Sequence, residues 1–157
     1  MTGFEARPAA DADKPVIERL IQLYLHDMTE FNPFPIRRDG LYEYDYLDRF
    51  WQRPFLLWSG DELAGFALVI EECPVTGMKP CWFMAEFFVL KPHRRKGLAT
   101  ACCTALFSQH PGLWHVAVIE RNATAAAYWQ GYFEPFEVGR NHRDFDGERW
   151  LVYEFES

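Results

Sequence analysis

The sequence predicts a single α/β domain, residues 1–157, in which a mixed central sheet of about six to seven strands is flanked by about four helices. Apolar runs of strand length alternate with stripes of helical spacing along the chain. The 157 residues are 49% hydrophobic and 17% aromatic, which suits one domain with a substantial core. The elements follow the order strand, two helices, three strands, helix, strand, helix and two strands, which is the order of a mixed α/β sheet.

The first part of the chain predicts a strand followed by a long amphipathic helix. Residues 4–7 suit the strand, Asp11 or Asp13 can cap the helix, and Pro15 fits near its first position. The apolar stripe of this helix comprises Val16, Ile17, Leu20, Ile21, Tyr24 and Met28. The proline-rich loop at residues 32–35 ends the helix.

A second helix is predicted over LYEYDYLDRFW, residues 41–51. One face of this helix would carry Tyr46, Leu47, Phe50 and Trp51. Within the same segment, Tyr42, Tyr44 and Tyr46 alternate with Glu43 and Asp45. Either the rings pack against the core while the acids face water, or the segment forms an acidic, aromatic wall that receives an amine by charge attraction and cation–π contact.

The middle of the chain predicts a hairpin and a buried strand. Residues 55–58 and 62–71 are strands joined by the turn signal at residues 59–61. The strand at residues 82–90 ends in four apolar residues of the kinds that suit burial on both faces. Pro92 disfavours its continuation.

The last part of the chain predicts a strand, a helix and a closing pair of strands. Residues 113–119 form the strand, and Asn122 is placed to cap a helix that Gly131 ends. Residues 136–140 and 149–155 form the closing pair around an Asp-Gly turn.

A basic turn joins the strand at residues 82–90 to the helix that begins near Gly97. It contains Arg94, Arg95 and Lys96, and Gly97 lacks a Cβ, so the backbone there can approach a ligand closely. Free N–H groups at a helix start favour an anion, and three cations would strengthen the preference for a pyrophosphate. Cations in a turn are also commonly just solvated, so the residues alone leave both interpretations open.

Arg94-x-x-Gly97-x-Ala99 resembles the acyl-CoA signature of the GNAT superfamily of N-acetyltransferases, Gln/Arg-x-x-Gly-x-Gly/Ala. The pattern fixes only three positions, but a strand precedes it, a helix follows it, and the stretch at Asn122 lies where the family places its next strand-to-helix junction. The chain contains neither a GxxxxGK[ST] phosphate loop nor a GxGxxG turn. The resemblance covers nearly the whole chain and extends to a group of small bacterial acetyltransferases.

The resemblance implies that the chain binds acetyl-CoA. Backbone N–H groups of the turn would seat the pyrophosphate, with added charge from Arg94 and Lys96. The pantetheine arm would run beside the fourth strand, where a backbone N–H near Val89 or Leu90 would face the thioester carbonyl. The residues expected to bind the cofactor are Phe88, Val89, Leu90, Arg94, Arg95, Lys96, Gly97, Leu98, Ala99, Asn122 and Trp129.

Glu86 is the candidate general base. It occurs in an otherwise apolar strand, where burial would raise the pKa of its carboxyl toward that of a working base. The alternatives are an exposed position at the strand end or a structural ion pair with an arginine.

The sequence gives a weaker indication of the general acid. Many members of the family carry a tyrosine at the position of Trp129, where it protonates the departing thiolate, and here Tyr128 precedes that position. Adjacent helix residues point about 100° apart, so Tyr128 serves only if the helix is rotated, and otherwise it packs against the core. Since a thiol of pKa about 8.5 leaves readily, catalysis does not require this group.

The acceptor is expected to be a small cationic amine. The formal net charge of −7 and the pI near 5.2 disfavour nucleic acid and anionic membranes as partners. The candidate acceptor residues, Tyr24, Tyr42, Glu43 and Asp45, come from the first two predicted helices, which lie near the acceptor site in GNAT folds.

The remaining sequence features favour a cytoplasmic protein without a metal. No signal-peptide core or membrane-length apolar run is present, and the four cysteines lack the spacing of metal ligands. A reduced, structural role is expected for the cysteines. Exposed aromatic residues on the last strand, such as Trp150 or Tyr153, would permit a homodimer.

Three functions are compatible with the sequence. The leading one is acetyl transfer from acetyl-CoA to a primary amine by direct attack in a ternary complex. The missing tyrosine keeps open a non-catalytic acyl-CoA-binding or regulatory module. A purely structural interaction domain would require the basic turn to be ordinary solvated surface.

Overall fold

The computed structural model describes residues 3–157, which form one seven-stranded sheet with helices on both faces. The strands are β1 (Phe4–Pro8), β2 (Arg53–Ser59), β3 (Glu62–Ile70), β4 (Trp82–Val89), β5 (Leu113–Ile119), β6 (Gly139–Phe145) and β7 (Glu148–Glu156). The helices are α1 (Lys14–Met28), α2 (Leu47–Phe50), α3 (Leu98–Gln109) and α4 (Ala123–Phe133). The strand order is β1-β2-β3-β4-β5-β7-β6, and this architecture confirms the predicted fold class.

The sheet is antiparallel except where β4 meets β5. These two strands are parallel because the α3 crossover joins them. Their pairing is limited to Trp82 with Trp114 and Phe83 with His115, although both strands continue beyond these pairs. The sheet therefore opens into a gap between β4 and β5 along most of their length.

Two cores lie on opposite faces of the sheet because neighbouring strand residues point to opposite sides. On β2, Leu57 packs with residues of α3 and α4, whereas the adjacent Leu56 packs with α1. The α1 side is formed by Ile17, Leu20 and Ile21, all of which are buried. These two cores fix the helices on both sides of the gap.

The loop at residues 71–81 is attached to the sheet by a buried histidine. The side chain of His115 is 2% exposed, its Nε2 lies 2.7 Å from Glu154 Oε2, and its Nδ1 lies 3.2 Å from Thr76 Oγ1. This contact holds the loop beside β5 and β7. Among the described residues, all four cysteines are buried and free.

The structure corrects several sequence predictions about local elements. The predicted helix at residues 41–51 is helical only at Leu47–Phe50, and residues 41–46 are irregular. Gly131 lies inside α4 and does not end it. The sixth strand begins at Gly139, so residues 136–138 are outside it, and Tyr153 is buried, so it cannot present an exposed surface for a dimer.

Candidate active site

The gap between β4 and β5 leaves backbone groups of β4 without a strand partner. The Leu90 N–H donates to the Ala64 carbonyl at 2.7 Å, so Leu90 is paired with the β3 side. Phe88 has the same orientation, because alternate residues direct their backbone groups to the same neighbour. The backbone groups of Phe87 and Val89 therefore face the gap, and among the predicted trio only Val89 can offer its N–H to a ligand there.

A cavity of about 610 Å³ occupies this gap and continues beneath α1. Its inner part lies between the two parallel strands and is lined by Met84, Phe87, Val116, Val118, Asn122 and Trp129. Its outer part lies beside α1, α2 and the β6–β7 turn, and it is lined largely by aromatic side chains. One continuous space thus connects the separated strands to the face on which α1 packs.

Glu86 lies where the two parts of the cavity meet. Its Oε1 accepts a long hydrogen bond of 3.4 Å from the Tyr24 hydroxyl. Burial raises the pKa of Glu86 to about 7, while the facing hydroxyls of Tyr44 and Tyr24 act in the opposite direction. A carboxyl with this pKa is about half ionised at neutral pH and can accept a proton.

Tyr24 and Tyr44 remain neutral phenols beside this carboxylate. Burial and the charge of Glu86 raise the pKa of both hydroxyls above the ordinary tyrosine value. The Tyr44 hydroxyl is buried and faces the Glu86 carboxylate, but it makes no hydrogen bond of good geometry within residues 3–157. Such unpaired buried groups are uncommon in proteins and call for a specific explanation.

The basic turn has the backbone form that the sequence suggested. Gly97, with φ of +88°, immediately precedes α3, and Arg95 also has a positive φ of +60°. The first helical N–H groups, starting with those of Leu98 and Ala99, have no partner inside the helix. The side chain of Leu98 is 1% exposed, so this residue can offer only its backbone to a ligand.

Arg94 does not extend toward a ligand. Its Nη2 donates to Asp27 Oδ2 at 2.7 Å, and its Nε donates to the Val89 carbonyl at 2.7 Å. The side chain therefore ties α1 to the end of β4. Arg95 and Lys96 are exposed, so they are the cations of the turn that remain accessible.

The start of α4 borders the inner part of the cavity. Asn122 caps this helix by accepting from the Ala125 N–H at 3.2 Å, and Asn122 and Trp129 both line the cavity. Tyr128 does not line it, since its hydroxyl lies 3.1 Å from Thr100 Oγ1 on α3. The packing alternative for Tyr128 fits this placement, and the rotated-helix alternative does not.

The predicted acceptor residues separate into two groups. Tyr24 and Glu43 line the outer cavity, whereas Tyr42 and Asp45 do not. The Tyr42 hydroxyl lies 2.7 Å from His26 Nδ1, and its backbone is held by Gln22. Sequence analysis did not select Tyr44, although the alternation of tyrosines with acids was a signal for it. It also missed Phe145 and Trp150 as cavity residues.

No three side chains among His, Cys, Asp and Glu come together as metal ligands would within residues 3–157. No helix in that range has the length and apolar character needed to cross a membrane.

The chain belongs to the GNAT family of acetyltransferases. The profile described as "Acetyltransferase (GNAT) family" matches residues 17–132, which is more than half of the chain. This stretch includes most of α1, all of β4 and the basic turn, and most of α4. No curated protein matches the sequence significantly.

Solved structures of similar fold include several acetyltransferases. One from Thermus thermophilus has a TM-score of 0.67 and 16% identity, covering 100% of both chains. One from Salmonella typhimurium, solved with acetyl-CoA, has a TM-score of 0.62 and 16% identity, covering 98% of this chain and 94% of that one. The diaminobutyrate acetyltransferase of Paenibacillus lautus, solved with L-2,4-diaminobutyric acid and coenzyme A, has a TM-score of 0.61 and 18% identity, covering 98% and 95%. At these identities the likeness shows the fold alone.

Proposed function

We propose that this chain transfers an acetyl group from acetyl-CoA to the primary amine of a small cationic acceptor, by direct attack in a ternary complex. The observation that carries the proposal is the position of Glu86, a carboxyl with a raised pKa at the junction of the two parts of one cavity. The two substrates would enter from opposite sides of this junction.

The gap between β4 and β5 fits the pantetheine arm of acetyl-CoA. An extended amide chain can take the place of a strand and pair with the backbone groups of Phe87 and the N–H of Val89 that face the gap. The Val89 N–H would then stabilise the oxyanion that develops on the thioester carbonyl. The helix start after Gly97 would seat the pyrophosphate, with Arg95 and Lys96 supplying positive charge.

Glu86 would activate the acceptor. The ammonium, with a free-amine pKa of about 8 to 10, gives a proton to the ionised carboxylate, and the nitrogen lone pair attacks the thioester carbon. A C–N bond forms and the C–S bond breaks, with the sulfur leaving as a thiolate. The second proton of the former ammonium passes to this thiolate or to solvent, which leaves a neutral amide. Because coenzyme A is a good leaving group, this step proceeds without Tyr128.

Release of free thiol from acetyl-CoA, followed over a panel of primary amines, tests the proposal. Glu86→Gln should lower kcat about 100-fold or more because it removes the proton acceptor. The KM for acetyl-CoA should change little, since Glu86 faces the acceptor side. Acetyl-CoA binding without transfer to any amine would instead favour a non-catalytic acyl-CoA-binding module.

A further inference from the structure

The outer part of the cavity, here called the acceptor chamber, has walls made mainly of aromatic rings. These rings include Tyr24, Tyr44, Tyr46, Phe50, Phe145 and Trp150. They come from α1, the segment before α2, α2 itself and the β6–β7 hairpin. The segment before α2 is contiguous with α2, but α1 and the β6–β7 hairpin are distant from both in sequence, so local packing alone does not bring all these rings together.

The mouth of the chamber exposes apolar surface. Tyr46 is 50% exposed and Phe145 is 38% exposed. Phe145 packs edge-on against Trp150, whose Nε1 donates to the Phe145 carbonyl at 3.0 Å, so the hairpin holds both rings in place. Held aromatic side chains at a cavity mouth favour contact with a flat, apolar ligand.

The charges of the chamber can neutralise one deeply placed cation. Among the described residues that line it, Glu86 is the carboxylate next to the buried phenols, whereas Glu43 and Asp146 are exposed. Arg49 adds a positive charge at the mouth, where it lies 3.5 Å from Glu72. A second ammonium group entering the aromatic part would lose its hydration without a paired carboxylate, which is costly.

The Tyr44 hydroxyl supplies a second polar group beside Glu86. It is buried, it faces the Glu86 carboxylate, and it makes no hydrogen bond of good geometry within residues 3–157. A primary ammonium has three N–H donors, so it can donate to Glu86 and to phenol oxygens at once. The faces of tyrosine rings also attract a cation.

We infer that the acceptor is an arylalkylamine: a single primary ammonium bound by Glu86 and Tyr44, carried on one aromatic body that packs between the rings of the acceptor chamber. This inference rests on the acetyltransferase function proposed above and narrows its substrate class. A polyamine, which carries several charges and no ring, is the contrasting acceptor.

Thiol release from acetyl-CoA is measured with 2-phenylethylamine, n-butylamine and spermidine at one pH. We expect kcat/KM for 2-phenylethylamine to exceed that for spermidine at least tenfold. Phe145→Ala should reduce the preference for 2-phenylethylamine over n-butylamine, because it removes a ring from the mouth and leaves Glu86 in place.

Tyr44→Phe tests the role of the Tyr44 hydroxyl in binding the ammonium group. It should lower kcat/KM for 2-phenylethylamine about tenfold and leave the KM for acetyl-CoA unchanged. Tyr132→Phe is the matched control, because its hydroxyl lies 2.8 Å from Thr104 Oγ1 on the α3 side and does not line the cavity. This control should retain normal turnover.

The outcomes separate the two proposals. Preference for spermidine over 2-phenylethylamine, or full activity of Tyr44→Phe, would overturn the arylalkylamine inference and leave the acetyltransferase function standing. Absence of transfer to every amine would overturn both.

Discussion

At the scale of single residues, Glu86 as the proposed base should couple catalysis to pH. Its pKa lies at about 7, so kcat/KM for the amine should rise as pH increases from 6 to 8 and the carboxyl loses its proton. Glu86→Gln should abolish this limb of the profile. A profile for the native protein that is flat across this range would contradict the role of Glu86 as base.

Glu86 should also make the free energy of unfolding depend on pH, but this free energy should fall as pH rises, whereas activity should increase. Folding raises the pKa of Glu86 from 4.5 to about 7, so the folded state binds this proton more tightly than the unfolded state does. Its contribution to the free energy of unfolding is therefore full below pH 4.5 and is lost as pH rises through 7. Urea unfolding should show that the free energy of unfolding falls more between pH 5 and pH 8 for the native protein than for Glu86→Gln.

Gly65 sets how closely β3 and β4 approach each other. A Cβ at this position would lie 2.0 Å from the Phe88 carbonyl oxygen and 3.1 Å from Val89 Cα. Gly65→Ala should therefore lower the free energy of unfolding by about 2 kcal/mol. It should also weaken acetyl-CoA binding, because the displaced residues border the gap.

Gly131→Ala provides the matched control for Gly65→Ala. Gly131 lies inside α4, and apart from its chain neighbours and the nearby backbone of its own helix no atom is within 4 Å of the position its Cβ would take. The change should raise the free energy of unfolding by about 0.5 to 1 kcal/mol. Equal effects of the two substitutions in urea unfolding would contradict the steric argument for Gly65.

At the scale of elements, we expect the cations of the basic turn to have two roles, Arg94 in the structure and Lys96 in acetyl-CoA binding. Arg94→Gln should lower the free energy of unfolding by about 1 to 2 kcal/mol, because it removes the bonds to Asp27 and Val89. In this variant Lys91, whose Nζ lies 3.6 Å from Asp27 Oδ1, still attracts the Asp27 carboxylate. Lys96→Gln should change stability by less than about 0.5 kcal/mol, since Lys96 is exposed.

Acetyl-CoA titration distinguishes these roles. Lys96→Gln should weaken binding by about fivefold through the loss of a surface charge near the pyrophosphate. If Arg94→Gln left stability unchanged, the arginine would not tie α1 to β4.

The strand, basic turn and helix from β4 to α3 could be predicted from the sequence because each signal lies within a few residues of the feature it determines. Pro92 limits the strand, Gly97 permits the positive φ, and the helical stripe follows directly. The α1 helix is predictable for the same reason. The irregular segment at residues 41–46 was wrongly predicted as helix, since its apolar spacing also fits a chain held by tertiary contacts.

The geometry of the site depends on contacts that no local pattern contains. Arg94 bonds to Asp27 across 67 positions, and Tyr24 bonds to Glu86 across 62 positions. The sequence could indicate a carboxylate in an apolar strand, but only the packing of α1 on β4 places phenols beside it. The same limit explains why Tyr44, Phe145 and Trp150 were not recognised together.

At the scale of the whole molecule, the opening of the sheet is central to how acetyl-CoA would bind. The formal charge of −7 opposes an anionic ligand, so the attraction must be local, at the helix start and the exposed cations Arg95 and Lys96. The β4–β5 gap adds backbone groups of β4 that have no strand partner, and the ligand can form hydrogen bonds with them. Binding should therefore stabilise both halves of the sheet together and raise the temperature of unfolding.

Acetyl-CoA at about 100 times its Kd should raise the free energy of unfolding by about 2.7 kcal/mol. At about 2 to 4 °C per kcal/mol for a domain of this size, Tm should increase by about 5 to 10 °C in thermal unfolding. The double variant Arg95→Ala, Lys96→Ala should show a smaller shift at the same ligand concentration while keeping the Tm of the free protein, because both side chains are exposed. A folded native protein without any shift would contradict acetyl-CoA binding, and an equal shift in the double variant would place the anion away from the basic turn.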